Sequence, residues 1–311
     1  MGNEEQMTDA QRDEAVLRSG YLLEYRVGQL LEKLGWSTQV NAPFLDARTN
    51  VSREFDVLSL QGEQAGPHDA DVVFGVLLIE CINNPQPLAC FVRTGDLLLP
   101  EEWLVKLSGT PIKLPPSSGV RALDQWTPLP VVLRMHEYHH ACLAGQFATQ
   151  YCSFEWSKHK KKWMALHDEA HFGVLSVLIA ATQYHIEVHY SSWSPGKPEQ
   201  EPINIQMYYP ILVLQGELLS VRPTRRGLLT RSVSHVRLRY SVVRAQREEY
   251  YMIDIVTERA IRRLVRTIAN EVTETARRLC KPTMSRRMKQ GARLLAKAAR
   301  KQSDCRAVFE Y

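Results

Sequence analysis

The sequence contains no apolar run of the about 18–20 residues that a membrane-spanning helix requires. Its first residues are polar and acidic, and they lack the basic region and apolar core of a secretory signal. None of the six cysteines belongs to a C-x-x-C pair, which argues against a thiolate zinc site or a disulfide framework and favours a reducing compartment. These absences predict a cytoplasmic protein with no membrane association.

Two nucleotide and hydrolase motifs are also missing. There is no phosphate-cradling G-x-x-x-x-G-K-S loop and no G-x-S-x-G nucleophile elbow, so neither ATP use nor an α/β-hydrolase mechanism is supported. The chain has 311 residues and a net charge of +5, with the basic residues concentrated in its last third. That length permits one large domain or two.

Two short apolar segments each carry a carboxylate. The stretch Phe74-Gly-Val-Leu-Leu-Ile-Glu-Cys-Ile-Asn-Asn84 is rich in Val, Leu and Ile, which predicts a buried strand that ends near Glu80. Upstream, Arg53-Glu-Phe-Asp-Val-Leu-Ser-Leu60 predicts a second strand around Asp56. Asp is depleted in strands, and a buried carboxylate is costly without a partner. Both acids are therefore candidates for a metal site.

A third acid, Glu24, lies on an amphipathic helix predicted over residues 13–34. Each acid also has a purely structural interpretation. Glu24 would be a solvated helix carboxylate, Asp56 would pair with Arg53, and Glu80 would accept a helix N-terminus or pair with Arg93.

The order of these acids resembles the PD-(D/E)xK superfamily of restriction-endonuclease-like nucleases, most closely over residues 15–93. The resemblance implies an α/β fold whose core is a helix, three strands, a helix and a strand. It implies that Glu24, Asp56, Glu80 and the backbone carbonyl of Cys81 hold Mg²⁺ or Mn²⁺ for phosphodiester hydrolysis. The motif lysine is replaced by Ile82.

Without that lysine, another group has to orient the attacking water, or the site is inactive and the fold serves only for binding. The candidates are Asn83, Asn84, Gln86 and Lys33, and we select Gln86 as a catalytic residue together with Asp56 and Glu80. An Asn or Gln orients water but adds no charge, so slower cleavage is expected.

The predicted domain organisation follows the same core. Residues 13–256 form the restriction-endonuclease-like domain, with an insertion at about 94–165 that has little regular structure before residue 130, apart from a short strand over 128–133. The second core helix is predicted at 168–184 and the fourth core strand at 208–214. Residues 1–12 are predicted to be disordered, and 257–311 to form C-terminal helices with a basic tail.

The histidines offer a rival enzyme. His167 and His171 are spaced i, i+4 on one helical face, as in zinc sites, and His136, His139 or His140 would supply further ligands. Asp168 stands where a zincin has its glutamate, so a helix terminus with capping groups is the preferred interpretation. A zinc hydrolase remains the alternative.

The basic C-terminal segment has no acid between Lys281 and Gln302. Its candidate nucleic-acid contacts are Arg286, Arg287, Lys289, Arg293 and Lys297. Phosphate binding, an anionic membrane surface and a solvated tail are all compatible with this pattern. We predict a nucleic-acid partner, with DNA the first expectation, and a homodimer is retained as an expectation.

Overall fold

The computed structural model describes residues 7–83, 86–94, 104–109, 111–116, 126–143, 145–166, 169–191, 202–244 and 246–299. The helices are α1 (Asp9–Arg18), α2 (Tyr21–Lys33), α3 (Leu129–Val132), α4 (Glu169–Ser191), α5 (Ile261–Leu279) and α6 (Pro282–Ala299). One 3₁₀ helix spans Met135–Glu137. Within these ranges, no helix combines the length and the apolar character needed to cross a membrane.

The strands form a large mixed sheet, so the protein is α/β. The first seven strands are β1 (Ser37–Asp46), β2 (Val51–Gln64), β3 (Val72–Ile82), β4 (Leu88–Thr94), β5 (Lys106–Gly109), β6 (Lys113–Leu114) and β7 (Thr127–Pro128). The others are β8 (Gln146–Ser157), β9 (Lys162–Leu166), β10 (Asn204–Leu214), β11 (Leu218–Thr224), β12 (Gly227–Val233), β13 (His235–Arg244) and β14 (Arg247–Thr257).

The main sheet has the order β1-β2-β3-β10-β14-β13-β8-β4-β11-β12, with β5 beside β10 and β9 beside β8. Strands β1, β2 and β3 pair antiparallel, whereas β3, β10 and β14 are parallel neighbours. The pair β6–β7 forms a separate small sheet. Parallel strands place their carboxyl ends at one edge, where ligands of α/β proteins commonly bind.

Helices cover both faces of the sheet, and a hydrophobic cluster fills each interface. Helices α2 and α5 pack on one face, around Leu31, Leu77 and Ile268. Helix α4 packs on the other face, around Leu78, Leu178 and Ile253. Strand β10 is buried along nearly its whole length, because it has strand neighbours on both edges and helices on both faces.

Several predicted boundaries are corrected. The helix predicted over 13–34 is two helices, because Gly20 adopts φ +86° between them. Disorder through residue 12 is wrong for residues 9–12, since Thr8 caps α1 and forms a capping box with Gln11. The core elements predicted at 168–184 and 208–214 correspond to α4 and β10.

The predicted insertion is more regular than its composition indicates. Its first part contains β5, β6 and β7. Its second part contains β8, which joins the main sheet between β4 and β13, and β9, which pairs with β8. The strand predicted over 128–133 is wrong, because Pro130 lies in the first turn of α3, where a missing N–H costs nothing. The final segment contains α5 and α6, and residues 300–311 lie outside the described part of the chain.

Candidate functional site

Asp56 and Glu80 lie side by side where β2 and β3 end their pairing. The antiparallel register runs to Val57–Ile79, so the next positions along the two strands are those of the two acids. The backbone N–H of Cys81 donates to Asp56 Oδ2 over 2.6 Å. The Glu80 carboxyl hydrogen-bonds to the Asp56 side chain. Two carboxyl groups in such contact have to share a proton.

A break in the β1–β2 ladder coincides with Asp56. The register passes from Val40–Val57 to Ala42–Phe55 and skips the pair between them. Asn41 has φ +53°, a left-handed conformation that interrupts the extended backbone at the skipped pair. Phe55 packs into the core on the α4 side and Val57 into the core on the opposite side, although they are two residues apart. Strand β2 therefore changes its buried face at Asp56.

Glu24 joins the two acids from the first turn of α2. Gly20 and Asn83 hold this end of the helix close to β3: a Cβ at Gly20 would lie 3.7 Å from Asn83 Cβ and 4.0 Å from Glu24 Oε1. The amide Nδ2 of Asn83 also donates to the Leu17 carbonyl over 3.2 Å. The predicted trio Glu24, Asp56 and Glu80, hereafter the acid cluster, is thus brought together.

The backbone carbonyl of Cys81 points toward β2, the strand that carries Asp56, by the alternation of an extended strand. In the parallel β3–β10 ladder the Ile82 carbonyl accepts from Gln215 N–H, so β3 uses that residue to pair with β10. The N–H and C=O of the preceding residue point the opposite way in an extended strand, toward β2. The observed bond from Cys81 N–H to Asp56 agrees with this direction.

Burial raises the pKa of all three carboxyl groups in the acid cluster, and repulsion from neighbouring carboxylates adds to the shift for Glu80 and Glu24. Burial raises the pKa of Glu80 to about 9, and the neighbouring Asp56 and Glu24 add to the shift. Burial also raises the pKa of Asp56, although the Cys81 N–H opposes it. The pKa of Glu24 is raised by burial and then by Asp56. Arg26 lies near Cys81, but its guanidinium forms two hydrogen bonds of 2.5 and 3.0 Å to Glu258.

Not all of the residues proposed to replace the motif lysine are placed to act at the acid cluster. Ile82 packs against the α4-side core. Lys33 is nine positions beyond Glu24 on the same helix, about 14 Å along its axis, so that candidate is wrong. Asn83 is committed to the Leu17 carbonyl, Asn84 lies outside the described residues, and half-buried Gln86 remains a prediction.

A second buried cluster lies on the α5 side of β14. His140 Nδ1 contacts Glu271 Oε1 at 2.7 Å, and its Nε2 contacts Asp254 Oδ2 at 2.8 Å. His235 Nε2 contacts the other oxygen of Asp254 at 2.7 Å. The His139 ring stacks on that of His140 with centroids 5.1 Å apart. We call these five residues the histidine network.

Charges in the histidine network compensate one another. Burial by itself lowers the pKa of His140, but Asp254 and Glu271 outweigh it and raise that pKa to about 10. His140 is therefore an imidazolium between two carboxylates. The same contacts hold the pKa of Asp254 well below its usual range and lower the pKa of Glu271, although burial opposes both shifts. Burial lowers the pKa of His139 to about 4.

His139, His140 and Glu271 offer ligand atoms within 4.8 Å of one another, so by residue type they could hold a metal ion. Their hydrogen bonds oppose this. Both nitrogens of His140 face carboxylates, and His139 Nδ1 accepts the Ala141 N–H over 3.2 Å. A metal would have to displace protons that two carboxylates stabilise. His136 is exposed, away from this group, and the side chains of His167 and His171 lie outside the described residues.

Sequence reasoning missed Asp254, Glu271 and His235. A signal was present, since Asp254 interrupts the apolar run Met252-Ile-Asp-Ile-Val256 much as Asp56 interrupts β2. Glu271 likewise falls on the buried stripe of α5, between Ile268 and Val272. A charged residue on an otherwise apolar face predicts a buried partner.

The predicted basic contacts divide between two faces of α6. Four of them, Arg286, Lys289, Arg293 and Lys297, recur every three or four residues away from the buried face formed by Met288, Ala292, Leu295 and Ala296. Arg287 instead turns inward, and its Nη2 donates to the Pro115 carbonyl over 3.4 Å. The start of α5 adds the exposed arginines 259, 262, 263 and 266, which were not predicted.

Comparison of the chain with protein-family models, with curated proteins and with solved structures gives no match.

Proposed function

We propose that this protein binds nucleic acid and holds a divalent cation, Mg²⁺ or Mn²⁺, in its acid cluster for phosphodiester hydrolysis. The observation that carries the proposal is the placement of the Asp56 and Glu80 carboxyl groups side by side where β2 and β3 end their pairing, with Glu24 beside them. Hard oxygen ligands of this kind suit Mg²⁺ and Mn²⁺, and a divalent cation would relieve their mutual repulsion. Asp56, Glu80 and the Cys81 carbonyl would hold the cation, with Glu24 at its periphery.

The arrangement of elements supports a restriction-endonuclease-like core as part of the proposal. Helix α2, strands β1 to β3, helix α4 and strand β10 follow in the order that the resemblance implies, and β10 lies parallel to β3. The acid cluster then stands at the edge of the sheet where β2 and β3 end their pairing. Fold alone does not specify activity, so the chemistry is argued from the site.

A bound cation would neutralise developing charge and supply an activated water. The chain itself fixes the Asp56 carboxylate through the Cys81 N–H and excludes water from most of Glu80. Position 82 contributes no charge, because Ile82 packs into the core. We therefore expect slow cleavage. The same observation favours a second candidate, a nucleic-acid-binding module that no longer cuts.

Cation binding is tested by thermal unfolding at pH 8 with and without Mn²⁺. Binding at one hundred times the dissociation constant would stabilise the wild type by about 2.7 kcal/mol, whereas Glu80→Gln and Asp56→Asn should lose this gain. Glu54→Gln is the matched control, since that carboxylate is exposed on the same strand. Equal Mn²⁺ stabilisation of Glu80→Gln and the wild type would rule out the acid cluster as the cation site.

A nuclease assay on DNA and RNA then separates the two candidates. Mn²⁺-dependent cleavage that vanishes in Glu80→Gln would establish the nuclease. Mn²⁺ stabilisation and nucleic-acid binding without cleavage would favour the binding module. If the wild type did not bind nucleic acid, both the nuclease and the binding module would be ruled out.

A further inference from the structure

A cavity of about 200 Å³ opens between the histidine network and the start of α5. Its polar lining consists of His140, His235, Arg237, Arg263 and Thr267, and apolar residues such as Ala260 and Leu264 complete the wall. We infer that this cavity is a binding site for a phosphate group, and that the phosphate belongs to a nucleic-acid strand. The inference rests on the proposed function for its nucleic-acid source but not for the phosphate site itself.

The cavity is built to present positive charge. Asp254 lies behind it with both carboxylate oxygens occupied, Oδ1 by His235 at 2.7 Å and Oδ2 by His140 at 2.8 Å. Arg237 is left with its Nε 3.9 Å from Asp254, and that buried nitrogen has no hydrogen-bond partner among the described residues. Because a guanidinium matches two phosphate oxygens at once, a cavity lined by two arginines, Arg237 and Arg263, points to an oxyanion.

The start of α5 adds positive charge at the same cavity. Ala260 provides no side-chain cap, and the first turn contains no acid. Arg262 and Arg263 occupy that turn instead, although cations at the positive end of a helix raise its free energy. An anion held near that end of the helix would reverse this penalty. Arg263 is positioned by a bond of 3.2 Å from its Nη2 to Ser234 Oγ.

The surroundings favour a nucleic-acid phosphate over a free one. Arg259, Arg262 and Arg266 extend the basic surface outward from the cavity along α5. The acid cluster lies on β3 and Asp254 on β14, with β10 between them, so the two strands are about 10 Å apart. About three nucleotides span that distance at the rise of 3.4 Å per nucleotide. The cavity could therefore anchor one phosphate of a strand that continues around the carboxyl edge of the sheet to the acid cluster.

The test uses the full-length protein, with EDTA present so that cations at the acid cluster do not interfere. Inorganic phosphate is titrated by calorimetry, and labelled 12-nucleotide DNA strands with and without a 5′-phosphate are titrated by anisotropy. Arg263→Gln should weaken inorganic phosphate binding at least tenfold and should weaken binding of both DNA strands. The matched control Arg277→Gln, an exposed arginine near the other end of α5 and outside the cavity lining, should change phosphate binding less than twofold.

Arg237→Lys is a second variant. It keeps the positive charge near Asp254 but removes bidentate binding of phosphate by the guanidinium, so it should also weaken phosphate binding. Equal phosphate affinity in wild type and Arg263→Gln would overturn the site. Phosphate binding that is lost in Arg263→Gln while the affinity for both DNA strands stays unchanged would overturn the nucleic-acid source. Glu80→Gln should keep phosphate binding and Arg263→Gln should keep the Mn²⁺ stabilisation, so failure of either proposal is recognised separately.

Discussion

The acid cluster and the histidine network use the same kinds of residue to opposite effect. Glu80 and Asp254 lie toward the carboxyl ends of the parallel strands β3 and β14. The histidine network buries Asp254 and Glu271, whereas the acid cluster buries Glu80 and partly buries Asp56. In the histidine network an imidazolium stands between Asp254 and Glu271, so opposite charges hold one another. In the acid cluster Glu80 and Asp56 face each other without such a cation. A buried carboxylate thus indicates a ligand site only when its own protein leaves it uncompensated.

The largest expected effect on stability is in the histidine network, where opposite charges compensate one another. Removing one partner of a buried ion pair leaves the other charged and unpaired, so Glu271→Ala should lower the free energy of unfolding by about 3–5 kcal/mol. Urea unfolding at pH 7 measures it. Glu274→Ala on the same helix is the control, because its partly exposed bonds to Arg277 and Arg278 should be worth at most about 1 kcal/mol. Equal losses of unfolding free energy in Glu271→Ala and Glu274→Ala would contradict a compensated, buried charge in the histidine network.

The acid cluster should make the stability of the protein depend on pH. An unfolded Glu ionises near pH 4.5, whereas folded Glu80 ionises at about 9, so the native state keeps a proton that the unfolded state has lost. Stability of the metal-free wild type should therefore fall as pH rises through this window, by at most about 1.4 kcal/mol per pH unit.

Glu80→Gln cannot lose that proton and should be the more stable protein at pH 8. Urea midpoints of both proteins in EDTA at pH 5, 7 and 8.5 measure the difference. A constant gap between them across this range would contradict a proton shared with Asp56.

The smallest effect is expected at the link between the two regions. Arg26 on α2 holds Glu258, which lies in the turn that leads into α5. Both side chains are partly exposed, so Glu258→Gln should cost at most about 1 kcal/mol in urea unfolding. The same variant frees Arg26 beside Cys81, and the Mn²⁺ stabilisation should weaken because a cation is then closer to the metal ligands. Unchanged Mn²⁺ stabilisation would show that the regions act separately.

The sequence predicted the residues of the acid cluster better than the backbone structure and strand pairing around them. Apolar runs identify Asp56 and Glu80 because each interrupts a strand pattern, and period alone places Glu24 on a helix. The break at Gly20, the skipped pair at Asn41 and the pairing of β3 with β10 could not be predicted. They depend on backbone conformation and on contacts between residues more than a hundred positions apart. The histidine network was missed for the same reason, since it joins residue 140 to residues 235, 254 and 271.

Strand β10 has a consequence for biosynthesis. It supplies the parallel partner of β3 along eleven residue pairs, from Asn204–Val72 to Leu214–Ile82, yet the ribosome makes it well over a hundred residues after β3. Until then the nascent chain carries all three acids beside a strand whose apolar edge is open to other chains. Translation pauses or chain breaks before residue 204 should therefore yield aggregation-prone fragments, and a chaperone that covers the β3 edge during synthesis would favour the native protein.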